Sequence, residues 1–198
     1  MRFLYVIITL FLVAGCSVST PTISEYRIDT EVASQQFLES TCRDQSLKVA
    51  QAFSPSALMT LKMNYAEGNH KQYVYSQSQW AESPNSAVTA ELVKSIKGTA
   101  LFKNVQISKS RSKNSMLLET NIEDFMQYFS KDEKSSFSNI VISLTLIDTQ
   151  TNHVIATKTF HSKVNAQSTD ASGGVIALNR ALSNVLNESG KWLGETCK

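Results

Sequence analysis

The sequence predicts an α+β fold, a largely antiparallel (mixed) sheet with two main helices packed on one face. Three observations predict it. Ile140, Ile142, Leu144 and Leu146 alternate strictly, and Val154, Ala156, Lys158 and Phe160 follow less cleanly across the polar Asp148–Asn152 loop, as in a hairpin with one buried face. Two other stretches, after Ser83 and after Asp170, place apolar residues at helical spacing. No internal repeat and no linker divides the chain, so sheet and helices belong to one unit, residues 24–198.

The elements follow in order. Ser24 to Asp29 alternates enough for a first strand. In Thr30 to Gln45, Val32, Ala33, Phe37 and Leu38 suggest a short helix. Leu47, Val49 and Phe53 suggest a second strand ended by Ser54-Pro55, and Leu61, Met63 and Tyr65 a third. Glu67-Gly68-Asn69 turns the chain into a fourth strand, Gln72 to Gln79. Ser83 then reads as an N-cap with Pro84 at the first helical position; Val88, Leu92 and Ile96 share a face and Gly98 stops the helix. Phe102, Val105 and Ile107 fit a strand, followed by a Lys/Arg/Ser loop from Ser108 to Ser115. Met116 to Phe129 is a long strand with an irregular middle, and polar Lys131 to Ser136 turns the chain into the hairpin already described. The closing helix, capped by Asp170 or Ser172, carries Val175, Leu178, Leu182, Val185, Leu186, Ser189, Trp192 and Leu193 on one stripe, although Gly173 and Gly174 weaken its first turn.

The N-terminus has the shape of a bacterial lipoprotein signal. Arg2 supplies the positive charge, and Phe3 to Val13 is apolar apart from Thr9. Ala14 and Gly15 are small and precede Cys16. The apolar run is well short of the roughly 20 residues that span a bilayer. We expect residues 1–15 to be removed, Cys16 to carry lipid such as palmitate, and residues 16–23 to form a short tether. Ser17 follows the cysteine. An aspartate there would resemble an inner-membrane retention signal, so its absence favours the periplasmic face of the outer membrane. Cys42 and Cys197 are the remaining cysteines. In an oxidising envelope they are expected to pair within one chain, the alternatives being free thiols or a bond between subunits.

The 198 residues are 42% hydrophobic and 18% charged, a globular composition, and the formal charge of +2 gives no argument for nucleic acid. Catalytic chemistry fails on inventory. His70, His153 and His161 are scattered. No Cys/His set has metal-ligand spacing, Gly173-Gly174 is not a phosphate loop, and the Ser-centred nucleophile elbow is missing. No enzyme activity, metal or cofactor is expected. Cys42 with a distant histidine is the one nucleophilic pair the residues leave open. Lys103, Lys109, Arg111 and Lys113 surround a loop that is either solvated or turned to an anionic surface. Tyr73, Tyr75 and Trp80 are either core or partner-binding aromatics, with the two tyrosines on one strand face.

Trp80-Ala81-Glu82-Ser83-Pro84, just after a Tyr-containing strand, resembles the W-A-E-x-P segment of the paraquat-inducible protein C-like auxiliary lipoproteins of ABC-type transport systems. The likeness continues in order. Leu92 lies on the next helix, and Phe102-Lys103-Asn104-Val105 is similar to the family's F-x-x-V strand. Leu117 to Phe125 follows, then Leu144 to Asp148 with Val154 to Phe160. Leu182, Leu186 and Trp192-Leu193 close the pattern, and Tyr26-Arg27-Ile28 opens it. Residues 30–65 match poorly, and Gln79 stands where a basic residue is common.

The resemblance implies a non-enzymatic envelope protein, anchored by lipid, that docks a mammalian-cell-entry (MCE) type periplasmic protein. Permease and ATPase would be separate chains, and the cargo would be lipid or a similar hydrophobic molecule. Self-assembly into a homo-oligomer stays open. Two other readings compete. One is a regulator of a cell-wall synthase or other envelope enzyme, whose tether would be long. The other is a solitary lipoprotein binding a hydrophobic ligand in an apolar cavity.

Overall fold

The computed structural model describes residues 21–33, 35–37, 39–68 and 71–198. The trunk of the fold is the long strand predicted over the middle of the chain, and the other strands are arranged about it. In chain order they are β1 (Ser24–Tyr26), β2 (Ser46–Val49), β3 (Lys62–Glu67), β4 (Lys71–Trp80), β5 (Asn104–Ile107), β6 (Met116–Phe129), β7 (Ser136–Asp148) and β8 (Val154–Asn165). Helix α1 covers Pro84–Gly98 and α2 covers Ala171–Thr196.

One edge of β6 is taken by β7 along its whole length, and β8 continues the antiparallel meander. The other edge is divided. β2 pairs parallel with Met116–Leu118, Phe53 makes a single parallel bridge to Asn121, and β3 pairs parallel with Gln127–Phe129. Between them the chain leaves the trunk for a 3-10 turn, Ser56–Met59. The sheet therefore forks. β5 lies outside β2, while β4 and then β1 lie outside β3. The fold class is α+β as predicted. Its longest pairings are antiparallel, and its short ones are mostly parallel, which makes the sheet mixed.

The irregular middle of β6 has a cause. The register shifts between Ile122 and Asp124, so the inward set changes from Leu118, Thr120 and Ile122 to Phe125 and Gln127. Without that shift Phe125 would face outward. A second shift, between Leu146 and Ile147, explains the blurred alternation at the start of β8.

Both helices cover the same face. α1 buries Val88, Leu92 and Ile96; α2 buries the stripe from Val175 to Leu193, and both close on Leu118, Ile122, Ile140, Ile142, Leu144 and Leu146 in one core. Each fully buried aliphatic side chain contributes roughly 1.5–3 kcal/mol. Asp170 is the N-cap of α2, its carboxylate accepting from the Gly173 N–H at 2.7 Å; Ser172 lies inside the helix.

Four expectations need correction. The first strand stops at Tyr26 rather than Asp29, and β2 stops at Val49 rather than reaching Phe53. Phe102 precedes β5 and is buried in the core instead of standing on the strand. No helix forms among the described residues of 30–45. There the Ala33, Phe37 and Thr41 N–H groups are met by the Asn187 side chain and by the Thr99 and Cys197 carbonyls at the ends of the two helices, Arg43 and Gln45 find their acceptors in local turns, and Val32 and Phe37 pack down onto the helical layer. Leu38 lies outside the described residues.

Candidate functional site

Cys16, the expected lipid attachment point, lies outside the described residues, as does His70. Most of the other candidates fall at three places.

The first is the strap, the chain between β1 and β2, which crosses the helical layer. Two asparagines of α2 hold it, eight residues apart and hence near the same face. The Asn179 carboxamide accepts from the Asp29 N–H at 3.2 Å and donates to the Arg27 carbonyl at 3.3 Å. The Asn187 carboxamide accepts from the Ala33 N–H at 3.0 Å. Further on, the Phe37 N–H donates to the Thr99 carbonyl at 3.0 Å, and the Thr41 N–H to the Cys197 carbonyl at 2.8 Å. Gly194 makes room for the Phe37 ring, since a Cβ at 194 would stand 2.4 Å from it. Cys42 and Cys197 are joined by a disulfide with Cα atoms 5.3 Å apart, and both are buried. Beneath the strap, between α1 and α2, lies a cavity of about 440 Å³ lined in part by Val32, Ala33, Thr99, Leu186 and Gly190.

The second place is the β3–β4 hairpin, turned at Gly68 with φ +61°. Tyr65 lies 5.4 Å from Tyr73, 4.6 Å from Tyr75 and 5.3 Å from Phe129, ring centre to ring centre. Tyr73 is exposed and the others are half-buried. The Tyr75 hydroxyl donates to Gln127 Oε1 at 2.8 Å, and Gln127 Nε2 donates to Ser136 Oγ at 2.9 Å and to the Asp170 carbonyl at 3.2 Å. Gly174 is required here, because a Cβ would stand 1.8 Å from Gln127 Oε1. Of the two glycines that weaken α2 as a helix, Gly174 thus lets it approach the sheet, and Gly173 leaves room for Ser168 in the preceding loop. Burial, then the neighbouring Tyr65, raises the Tyr75 pKa; burial, then the Glu67 charge, raises that of Tyr65. The Asp170 carboxyl is held below the usual carboxylate range by the Gly173 N–H and then the Ser168 hydroxyl. Trp80 belongs elsewhere. It is 4% exposed and meets Phe125 edge-on at 6.1 Å, so it is core and not a contact surface.

The third place is the other end of β6, where β5 and the Ser108–Ser115 loop lie. Lys97, Lys103, Lys109, Arg111 and Lys113 are exposed there. Lys48 Nζ donates to the carbonyls of Ser110 at 3.2 Å and Ser112 at 2.9 Å, which fixes the loop. No acidic residue occurs in the sequence between Glu91 and Glu119. Among the described residues, both ion pairs belong to Lys94. The basic end and the hairpin end sit against Met116–Leu118 and Gln127–Phe129, roughly 30 Å apart along the trunk at about 3.3 Å per residue.

The uncovered sheet face mixes polar pairs with apolar side chains, among them Phe137 stacked on Tyr128 at 5.3 Å. Thr145 and Thr157 hydroxyls meet at 3.2 Å, and the Asp124 carboxylate accepts from Asn139 Nδ2 at 2.7 Å and the Tyr128 hydroxyl at 2.8 Å. Burial raises the Asp124 pKa against those two hydrogen bonds. His153 is exposed in the β7–β8 loop and His161 is exposed on β8. Among the described residues, no group of three His, Cys, Asp or Glu could hold a metal ion.

The sequence places Tyr65 and Phe129 on strands but does not mark them, or Gln127, as candidate site residues. Gln127 had left one signal, a lone polar side chain at an inward position of a long apolar strand.

The arrangement is that of an α+β domain with a strapped helical layer, an aromatic end and a basic end. Among its described residues no helix is long and apolar enough to cross a membrane. Residues 26–188 match the model of the ABC-type transport auxiliary lipoprotein component, and the chain belongs to that family. The fold is shared with a crystal structure of a Xanthomonas campestris protein of the DUF330 family, at 17% identity and a TM-score of 0.77, covering 87% of this chain and 96% of that one. An uncharacterised protein of known structure has 14% identity and a TM-score of 0.67 over 87% of this chain and 99% of its own. The PelC dodecamer from Paraburkholderia phytofirmans, at 11% identity, 80% and 91% coverage and a TM-score of 0.43, is too distant to bear on assembly. No curated protein matches the sequence.

Proposed function

We propose that this chain is an outer-membrane-anchored lipoprotein on the periplasmic side, a non-enzymatic auxiliary of an ABC-type lipid transport system that docks an MCE-type component. The observation that carries the reading is the family match over residues 26–188. Residues 1–15 act as the signal, Cys16 as the anchor and residues 16–23 as the tether of one domain. So short a tether holds the domain beside its membrane, whereas a regulator of a cell-wall synthase would need reach across the periplasm. The permease and the ATPase are other chains. This one contributes position and contact surface, not bond chemistry. Cys42 is joined to Cys197 in a disulfide and so offers no free thiol for a histidine to activate.

The test is crosslinking in intact cells, followed by capture of this protein and mass spectrometry. The reading expects an MCE-type protein or a transporter subunit among the crosslinked partners. Recovery of a cell-wall synthase with neither of these would favour the regulator instead. Substituting His153 and His161 by alanine together should leave the crosslinked set unchanged.

A further inference from the structure

The direction of β1 determines which end of the domain meets the membrane. β1 runs parallel to β4, with Ser24 beside Ser78 and Tyr26 beside Trp80. β4 itself starts at the hairpin turn, where Lys71 pairs with Glu67 and Tyr73 with Tyr65. Upstream of Ser24 the strand direction therefore points back along β4, toward Tyr75, Tyr73 and the hairpin. Only four residues separate Cys16 from Pro21. Fully extended, the five steps span at most about 18 Å at roughly 3.6 Å each. A lipid on Cys16 thus keeps Pro21 within about 18 Å of the headgroups, on the side toward which the hairpin points. With the trunk upright on the membrane, the basic end lies roughly 30 Å further out.

What the hairpin end presents suits that position. Tyr65, Tyr73, Tyr75 and Phe129 form one aromatic cluster, open to solvent on the Tyr73 side. Val74, on the opposite face of the same strand, is 46% exposed, and Ile23, just ahead of β1, is 52% exposed. Tyrosine combines a large apolar ring with a polar hydroxyl, which is why it settles at the depth of lipid headgroups. The charges nearby are of both signs, Lys71 and Lys134 against Glu67 and Glu133, so the attraction is interfacial and not electrostatic.

We infer that the β3–β4 hairpin, through Tyr73 and the cluster behind it, is a second membrane contact. It lies against the same bilayer that holds the lipid on Cys16. A protein contact beside the anchor adds to the hold of the acyl chains on Cys16. The contact also fixes orientation, with the hairpin down and the Lys109–Lys113 loop facing away from the membrane. This inference rests on Cys16 carrying lipid.

The test uses the mature, lipidated full chain in vesicles of phosphatidylethanolamine and phosphatidylglycerol with brominated acyl chains. Tyr73→Trp is compared with Arg111→Trp, each after subtracting the emission of Trp80 and Trp192 in the unsubstituted chain. The added emission at 73 should be quenched and that at 111 should not, and high salt should leave the difference intact. Val74→Trp is a second probe on an exposed position and should behave as 73 does. A chain that floats with the vesicles yet shows no quenching at 73 or 74, or equal quenching at 73 and 111, overturns the inference and leaves the anchor standing. A chain that does not float overturns both.

Discussion

From Met116 to Asn165 three long strands follow one another through short turns, and each pairs with the next along most of its length. Residues 24–67 are organised in the opposite way. Their strands are short, and apart from the local β3–β4 hairpin they pair in parallel with partners far along the chain. Between the strands the backbone runs as a strap, its hydrogen bonds supplied by Asn179, Asn187, Thr99 and Cys197. The meander satisfies itself with neighbours in sequence. The first third is held by what the rest of the molecule offers it. Loop-closure entropy is therefore concentrated in the first third, and so is the only covalent crosslink among the described residues.

If that contrast is right, it breaks first at the disulfide. Replacing both Cys42 and Cys197 by alanine removes a crosslink between residues 155 apart in sequence. The chain-entropy account gives a loss of about 4–5 kcal/mol for a loop of that order. Denaturant unfolding should show it, and limited proteolysis should cut the strap before the meander. Unchanged stability with an uncut strap would mean the first third holds itself.

Gly194→Ala gives an intermediate effect. A methyl at 194 drives into the Phe37 ring, and overpacking of this kind costs about 1–3 kcal/mol. Hydrogen exchange should quicken at the Phe37 and Ala33 amides and stay slow in β7. Equal loosening of both regions would erase the distinction.

The smallest effect belongs to the cap of α2. Asp170→Ala removes the acceptor of the Gly173 N–H and should cost about 1 kcal/mol at pH 7. The sign with pH follows from the lowered pKa. Asp170 adds stability above the ordinary carboxylate value of about 4, and that contribution fades as pH falls through its folded value. The gap between wild type and variant should close in acid. A gap that persists at low pH would mean packing at the helix start, and not the ionised cap, carries the effect.

The same contrast explains how much of the fold could be read in advance. Strict alternation marked β7, and the apolar stripe marked α2, because each buries one continuous face. In the first third the cues were local and the constraints were not. Val32 and Phe37 sit at positions that would suit a short helix, yet both pack on helices reached through distant segments. Phe53 continues the alternation of Leu47 and Val49, but β6 offers it one bridge and no ladder. The aromatic end was half legible. Tyr73 and Tyr75 stood out on one strand, while Tyr65 and Phe129 join them only because β3 lies between β4 and β6. Trp80 stood out for its place in a motif, and its role is to fill the core beside Phe125. Nothing local in the sequence distinguishes a Trp that packs from one that binds.

The central claim is that this domain is held at the outer membrane through Cys16, and it is tested most directly by isolating the mature protein from separated membranes and measuring its intact mass and N-terminal peptide. The account predicts a chain that begins at Cys16, carries acyl chains on that residue and fractionates with the outer membrane. A mature chain that begins elsewhere, a free thiol on Cys16, or recovery in the soluble periplasmic fraction would contradict it.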